Sequence, residues 1–165
     1  MNSSTQSSGS AIRHYVLVEA LIAITIAVPL SMAFAWLFFR GHPDITLRSP
    51  ELVRDTAVQG FIVPFWIVLP ITIVGRRRRR TGSAPRSGPW GRWPANAFIR
   101  ALLFGVLVGV ILGALHRISA TSLPSGVLSM QGLLAFKGAV GASIAIFIAP
   151  LAARASLADG APLFP

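Results

Sequence analysis

Apolar residues fall in four long blocks, separated by segments that hold most of the charge along with serine and proline. The blocks run from about Tyr15 to Phe39, Thr56 to Gly75, Phe98 to Ile118 and Met130 to Ala153. Each is about 20 residues or longer, the length a helix rising about 1.5 Å per residue needs to cross about 30 Å of hydrocarbon. Apolar positions are continuous within a block and do not recur with the period of a one-sided helix or strand, so lipid is their expected surroundings. The fold class this predicts is all-α, an integral membrane four-helix bundle over residues 13–154.

The flanks read differently. Residues 1–12 are Ser-rich without apolar periodicity and are expected to be disordered. Residues 155–165 are expected to be an unstructured tail. Arg13 before the first block and Ala33-Phe34-Ala35 near its end resemble a cleaved signal peptide. A run of about 25 residues nevertheless exceeds the roughly 7–15 of a signal core, and a retained span is the reading adopted. Ser49-Pro50-Glu51 has the residue order of a helix start: a capping serine, a proline in the first turn and an acid at the positive end of the dipole. Pro64 and Pro70 are expected to kink the second span.

Composition agrees with a bilayer environment. The chain is 53% hydrophobic and 12% charged, about half the charged fraction of soluble domains, and its mean hydropathy is +0.67. Without cysteine there is no disulfide framework, thiolate metal site or cysteine nucleophile. The net charge of +10 flanks apolar spans instead of covering a soluble face, which favours phospholipid headgroups over nucleic acid as counterions. If the loop after the second span is cytoplasmic, Arg13, Arg76 to Arg80, Arg86, Arg92, Arg100 and Arg154 lie on that side, against Arg40, Arg48, Arg54 and Arg117 on the other. Retention of basic loops inside then puts both termini in the cytoplasm.

Candidate chemistry is sparse. The run Arg76, Arg77, Arg78, Arg79, Arg80, with Trp90 and Trp93 after it, is expected to be a topology determinant, with contact to anionic lipid as the alternative; no nucleic-acid-binding fold surrounds it. Gly105, Gly109 and Gly113 leave a smooth face on the third span, and Gly141, Ala145 and Ala149 a matching one on the fourth. The expectation is a tight pair of these two helices, with a homodimer seam as the alternative. By helical rise Lys137 lies roughly 6 Å from the centre of its span, and Gln59 and His116 roughly 10–12 Å from centre on the same side, with Asp55 slightly farther out. These four form a candidate polar cluster, set against a lysine that snorkels to the interface. Trp66 lies mid-span, where packing is the expected role.

The chain resembles small four-span multidrug transporters in span number and in carrying a first-helix glutamate, Glu19, about a turn into its span; Arg100 lies at the same depth, and an ion pair between them is the structural alternative. Ser143 and His116 are separated by roughly 15 Å along the membrane normal, too far for a serine and its base. No intramembrane aspartate pair and no metal-ligand spacing is present, so no enzyme activity, metal or cofactor is expected.

Trp36-Leu37-Phe38-Phe39-Arg40-Gly41, Asp55, Arg76 to Arg78, Lys137-Gly138 and Pro150-Leu151-Ala152 together resemble a group of small four-span proteins of bacterial inner membranes that carry no assigned activity. The resemblance implies the architecture and a bacterial inner membrane, and no catalytic or binding residue. The expected function is a non-enzymatic accessory, structural or lipid-associated subunit whose partners are membrane lipids, another membrane protein or a second copy. A small oligomeric transporter or channel comes second and an intramembrane enzyme third.

Overall fold

A computed structural model describes residues 3–41, 45–82, 93–94, 96–122 and 125–159, with side chains from Gly9 onward. Four helices, α1 (Ser3–Phe39), α2 (Pro50–Arg80), α3 (Ala97–Ser119) and α4 (Met130–Ala158), form an all-α bundle. All four are long and apolar enough to cross a membrane, which makes the chain a multi-pass membrane protein. Large hydrophobic side chains such as Leu17, Leu21, Val110 and Phe147 stand exposed on the bundle's outer faces, as a lipid solvent allows.

The helices overrun the expected spans. α1 extends back to Ser3 through the segment expected to be disordered, and α4 continues to Ala158 through the start of the expected tail. Extending an existing helix fixes one residue per hydrogen bond gained, whereas starting one is costly. Ala155, Ser156 and Leu157 are buried, so packing holds that last turn. α2 likewise runs beyond Gly75 through the whole arginine run, where four cations in the final turn complement the helix dipole. It stays continuous through Pro64 and Pro70.

Helix starts follow local chemistry. The Asn96 side chain accepts from the backbone N–H groups of Phe98 and Ile99, and Ser129 accepts from that of Gly132. Ser49 occupies the cap position of α2, but its hydroxyl donates to the Thr46 carbonyl at 2.8 Å and makes no capping bond. The connectors before α2 and α4 meet at one antiparallel bridge, Thr46 with Val127, and the Leu128 N–H donates to the Ile45 carbonyl at 2.7 Å. Ile45 tucks in beside Ala35, Phe39, Leu52 and Leu133, a small apolar cap at the connector end of the bundle. The opposite end carries Arg76 to Arg80.

Packing order differs from the expectation. α4 lies against both α1 and α2, while α3 packs along α2 and meets α4 through one ring contact, His116 with Phe136. The glycine face of α3 therefore meets α2: a Cβ at Gly109 would lie 2.9 Å from the Ala57 carbonyl oxygen, and one at Gly105 2.8 Å from that of Phe61. Gly141 of α4 meets α1, where a Cβ would lie 3.0 Å from the Ala27 carbonyl oxygen; Ala145 and Ala149 are fully buried along the same helix. Both small-residue faces are used within one chain, but on different partners. The expected α3–α4 pair is absent because α2 supplies its own small residues, Ala57 and Gly60, opposite α3.

Candidate functional site

α1 and α2 approach each other sparsely, leaving a cleft between them that holds separate cavities with no lining residue in common. At the connector end it holds Ser31, Phe34 and Phe38 of α1, Asp55, Val58 and Gln59 of α2, and Lys137 of α4 around a cavity of about 60 Å³. A vestibule of about 260 Å³ that also includes Asp55, with Glu51 and Arg54, continues outward from it. Nearer the arginine end, Ile22, Ala23 and Ile26 face Trp66, Ile67 and Ile71 around about 240 Å³, closed by Glu19 and Arg78.

The sequence-derived cluster divides in two. Asp55 Oδ2 lies 2.5 Å from the Lys137 ammonium, and Gln59 Nε2 donates to the Lys137 backbone carbonyl at 3.1 Å. Lys137 is only 1% exposed, which rules out snorkelling in this conformation. His116 is not part of that group. Its Nε2 faces the Leu47 carbonyl at 2.8 Å, which requires the hydrogen on Nε2, and its Nδ1 lies 2.9 Å from Thr56 Oγ1. A neutral ring accepts the Thr56 hydroxyl there, while a protonated one donates to it and leaves that hydroxyl to the Leu52 carbonyl, 2.8 Å away. The ring thus ties the first connector to α2 and α3, and reaches Lys137 only through an edge contact with Phe136.

The expected pair of Glu19 with Arg100 does not form. Depth matched but direction did not, because α3 stands on the far side of α2 from α1. Glu19 Oε1 instead accepts from Arg78 at 3.2 Å, and the Arg78 guanidinium lies 5.9 Å from the Tyr15 ring centre. Arg100, 0% exposed, holds Asp159 through both guanidinium ends and donates to the Pro94 carbonyl. Arg76 completes this knot at 2.6 Å from Asp159 Oδ2. Asp159 was missed because it was read as tail, yet it is one of five acids in the chain and sits at the end of the bundle that carries Arg76 to Arg80.

The aromatic residues are similarly redistributed. Trp66 is 59% exposed and lines the groove, so it is not a packing residue. Trp93 stacks on Phe104 with ring centres 4.7 Å apart, Trp36 is covered by Arg40, and Trp90, Arg86 and Arg92 lie outside the described residues. Ser143 donates within its own helix to the Ala139 carbonyl, and no group of metal-ligating side chains occurs among the described residues. No protein-family model, curated protein or solved structure matches this chain.

Proposed function

We propose that the protein is a non-enzymatic, lipid-associated module of a bacterial inner membrane that holds an anionic phospholipid lengthwise between α1 and α2. One observation carries this reading: the cavity of about 240 Å³ between α1 and α2 is walled by Ile22, Ile26 and Trp66, each about half exposed on the outer face of the bundle, and ends on Glu19 and Arg78. An acyl chain satisfies the Ile22, Ile26 and Trp66 walls. A phosphate suits the end, where Arg78 keeps about half its side chain exposed despite its pair with Glu19. The guanidinium Nη1 of neighbouring Arg79 is buried without a hydrogen-bond partner, and Arg77 and Arg80 add charge near the surface.

Native mass spectrometry of protein extracted with its lipids should find phospholipid retained, anionic species enriched over their share of the membrane. Ile26→Trp fills the groove wall and should lower retained lipid severalfold. Val110→Trp places the same side chain on the lipid face of α3, where Val110 is 66% exposed, and should leave retention unchanged. Equal retention in the two variants would count against the groove.

The orientation in this proposal puts the arginine end and both termini in the cytoplasm. Single cysteines replacing the exposed residues Thr81 and Ser122 should report it: an impermeant thiol reagent added to intact cells should modify the second and spare the first. Modification of both, or of Thr81→Cys alone, would reverse the assignment.

A further inference from the structure

We propose that Asp55, Gln59 and Ser31 form a site for a small monovalent inorganic cation, entered from the aqueous phase at the connector end, in which the cation exchanges for the proton of Lys137. This goes beyond the lipid reading and stands on different residues. The step balances: as the cation enters, the Lys137 ammonium gives one proton to the same aqueous phase and remains a neutral amine, so the net charge of the site is unchanged. The lysine is the built-in counterion that keeps the empty site neutral in a medium where an unpaired charge is costly.

Oxygen atoms define the site. Gln59 cannot turn its amide around, because its Nε2 must donate to the Lys137 carbonyl. Its Oε1 is therefore fixed, and it is buried with no hydrogen-bond partner. Ser31 Oγ, on a residue only 1% exposed, is also buried without one. Both residues line the cavity that holds the Asp55–Lys137 pair. Orphaned buried acceptors are unfavourable by about 1–3 kcal/mol each, and oxygen donors of this kind can replace part of the hydration shell of an alkali cation, as the carbonyl oxygens of potassium filters do.

Size and charge narrow the occupant. A cavity of about 60 Å³ holds a few waters, each needing roughly 10–15 Å³, and is well below the roughly 150 Å³ that accepts a benzene-sized molecule. With a single carboxylate, one positive charge neutralises it and a divalent ion would leave a charge uncompensated. An anion would have to take Lys137 and leave the Asp55 carboxylate buried beside it. Access runs through Asp55 itself, which lines both the cavity and the vestibule.

Among the described residues, the ionisable groups around Lys137 are few. α2 contributes Asp55, with Glu51 and Arg54 in the vestibule; α3 contributes His116 across Phe136; α1 contributes Ser31, Phe34 and Phe38, none of which titrates. Proton exchange coupled to the cation is therefore assigned to Lys137.

Full-length protein in detergent and choline chloride, titrated with sodium chloride at constant ionic strength, tests this. Thermal unfolding at pH 8.5 should shift upward with sodium relative to choline, and the apparent affinity should fall about tenfold for each unit by which the pH is lowered, as the proton competes. A pH-indicator dye in weak buffer should record about one proton released per sodium bound. Asp55→Asn should abolish both effects. Lys137→Met should keep the sodium stabilisation but lose proton release and pH dependence, and if it folds only when purified in sodium, that recovery supports the site equally. The proposal is overturned if sodium, lithium and potassium all match choline for the wild-type protein at pH 8.5. Undiminished stabilisation of Asp55→Asn, or binding without proton release by the wild type, overturns it as well.

Discussion

Gly109→Leu is expected to remove most of the folded protein, because Gly109 sits in the close seam of α2 and α3, and α3 packs along α2, touching α4 through the His116–Phe136 ring contact. A Cβ there would lie 2.9 Å from the Ala57 carbonyl oxygen and 3.2 Å from the Phe61 backbone nitrogen. These are backbone atoms, which cannot rotate aside. Across the seam, a Cβ at Gly60 would meet the Gly109 Cα at 2.9 Å, so both surfaces are already bare. Leucine must therefore push α3 outward along its length and loosen the contacts at Gly105 and Gly113. Overpacking of this kind is unfavourable by about 1–3 kcal/mol and sometimes more. Here it also releases His116 from Thr56 and Arg100 from Asp159, the two polar fasteners at the ends of α3. Size-exclusion chromatography of a fluorescent fusion measures the monodisperse fraction. Val110→Leu, on the lipid-facing neighbour, is the control and should behave as wild type. Equal profiles for the two variants would mean that α3 does not use this face.

Run length alone made four spans legible, because an apolar block of that length in a chain so poor in charge has few other solutions. Depth was legible as well. A fixed rise per residue put Lys137, Gln59 and Asp55 on one side of the membrane centre, and in the structure these three do meet. Azimuth was not legible. Glu19 and Arg100 share a depth but face different neighbours, and the small-residue faces of α3 and α4 gave no indication that one belongs to α2 and the other to α1. A glycine face shows where a helix can be approached, not by which helix. His116 was placed at the correct end but joined to the wrong group, because its partners Leu47 and Thr56 carry a backbone carbonyl and a hydroxyl, which no charge pattern reveals. Asp159 was lost to an assumed tail, although the excess of arginines at its end of the bundle called for an acid.

The largest electrostatic effect is expected at the Asp55–Lys137 pair, where one substitution leaves the other charge enclosed. Asp55→Asn strands the Lys137 ammonium in a helix interface where it is 1% exposed, and Lys137→Met strands the carboxylate. Breaking a buried pair from one side typically lowers stability by about 3–5 kcal/mol, whereas replacing both members by uncharged groups of similar volume is often near neutral. The double variant should therefore be more stable than either single one in sodium-free choline buffer. Gln59 sharpens the asymmetry: its bond goes to the Lys137 backbone carbonyl, so it survives Lys137→Met and keeps α2 and α4 in register while the carboxylate loses its partner. Thermal or denaturant unfolding of the four proteins closes the cycle, and directly coupled neighbours should deviate from additivity by at least about 0.5 kcal/mol. Strict additivity would mean that the carboxylate and ammonium do not interact, and Lys137→Met alone exceeding wild-type stability would mean that the ammonium is an unfavourable guest in the interface instead of half of a pair.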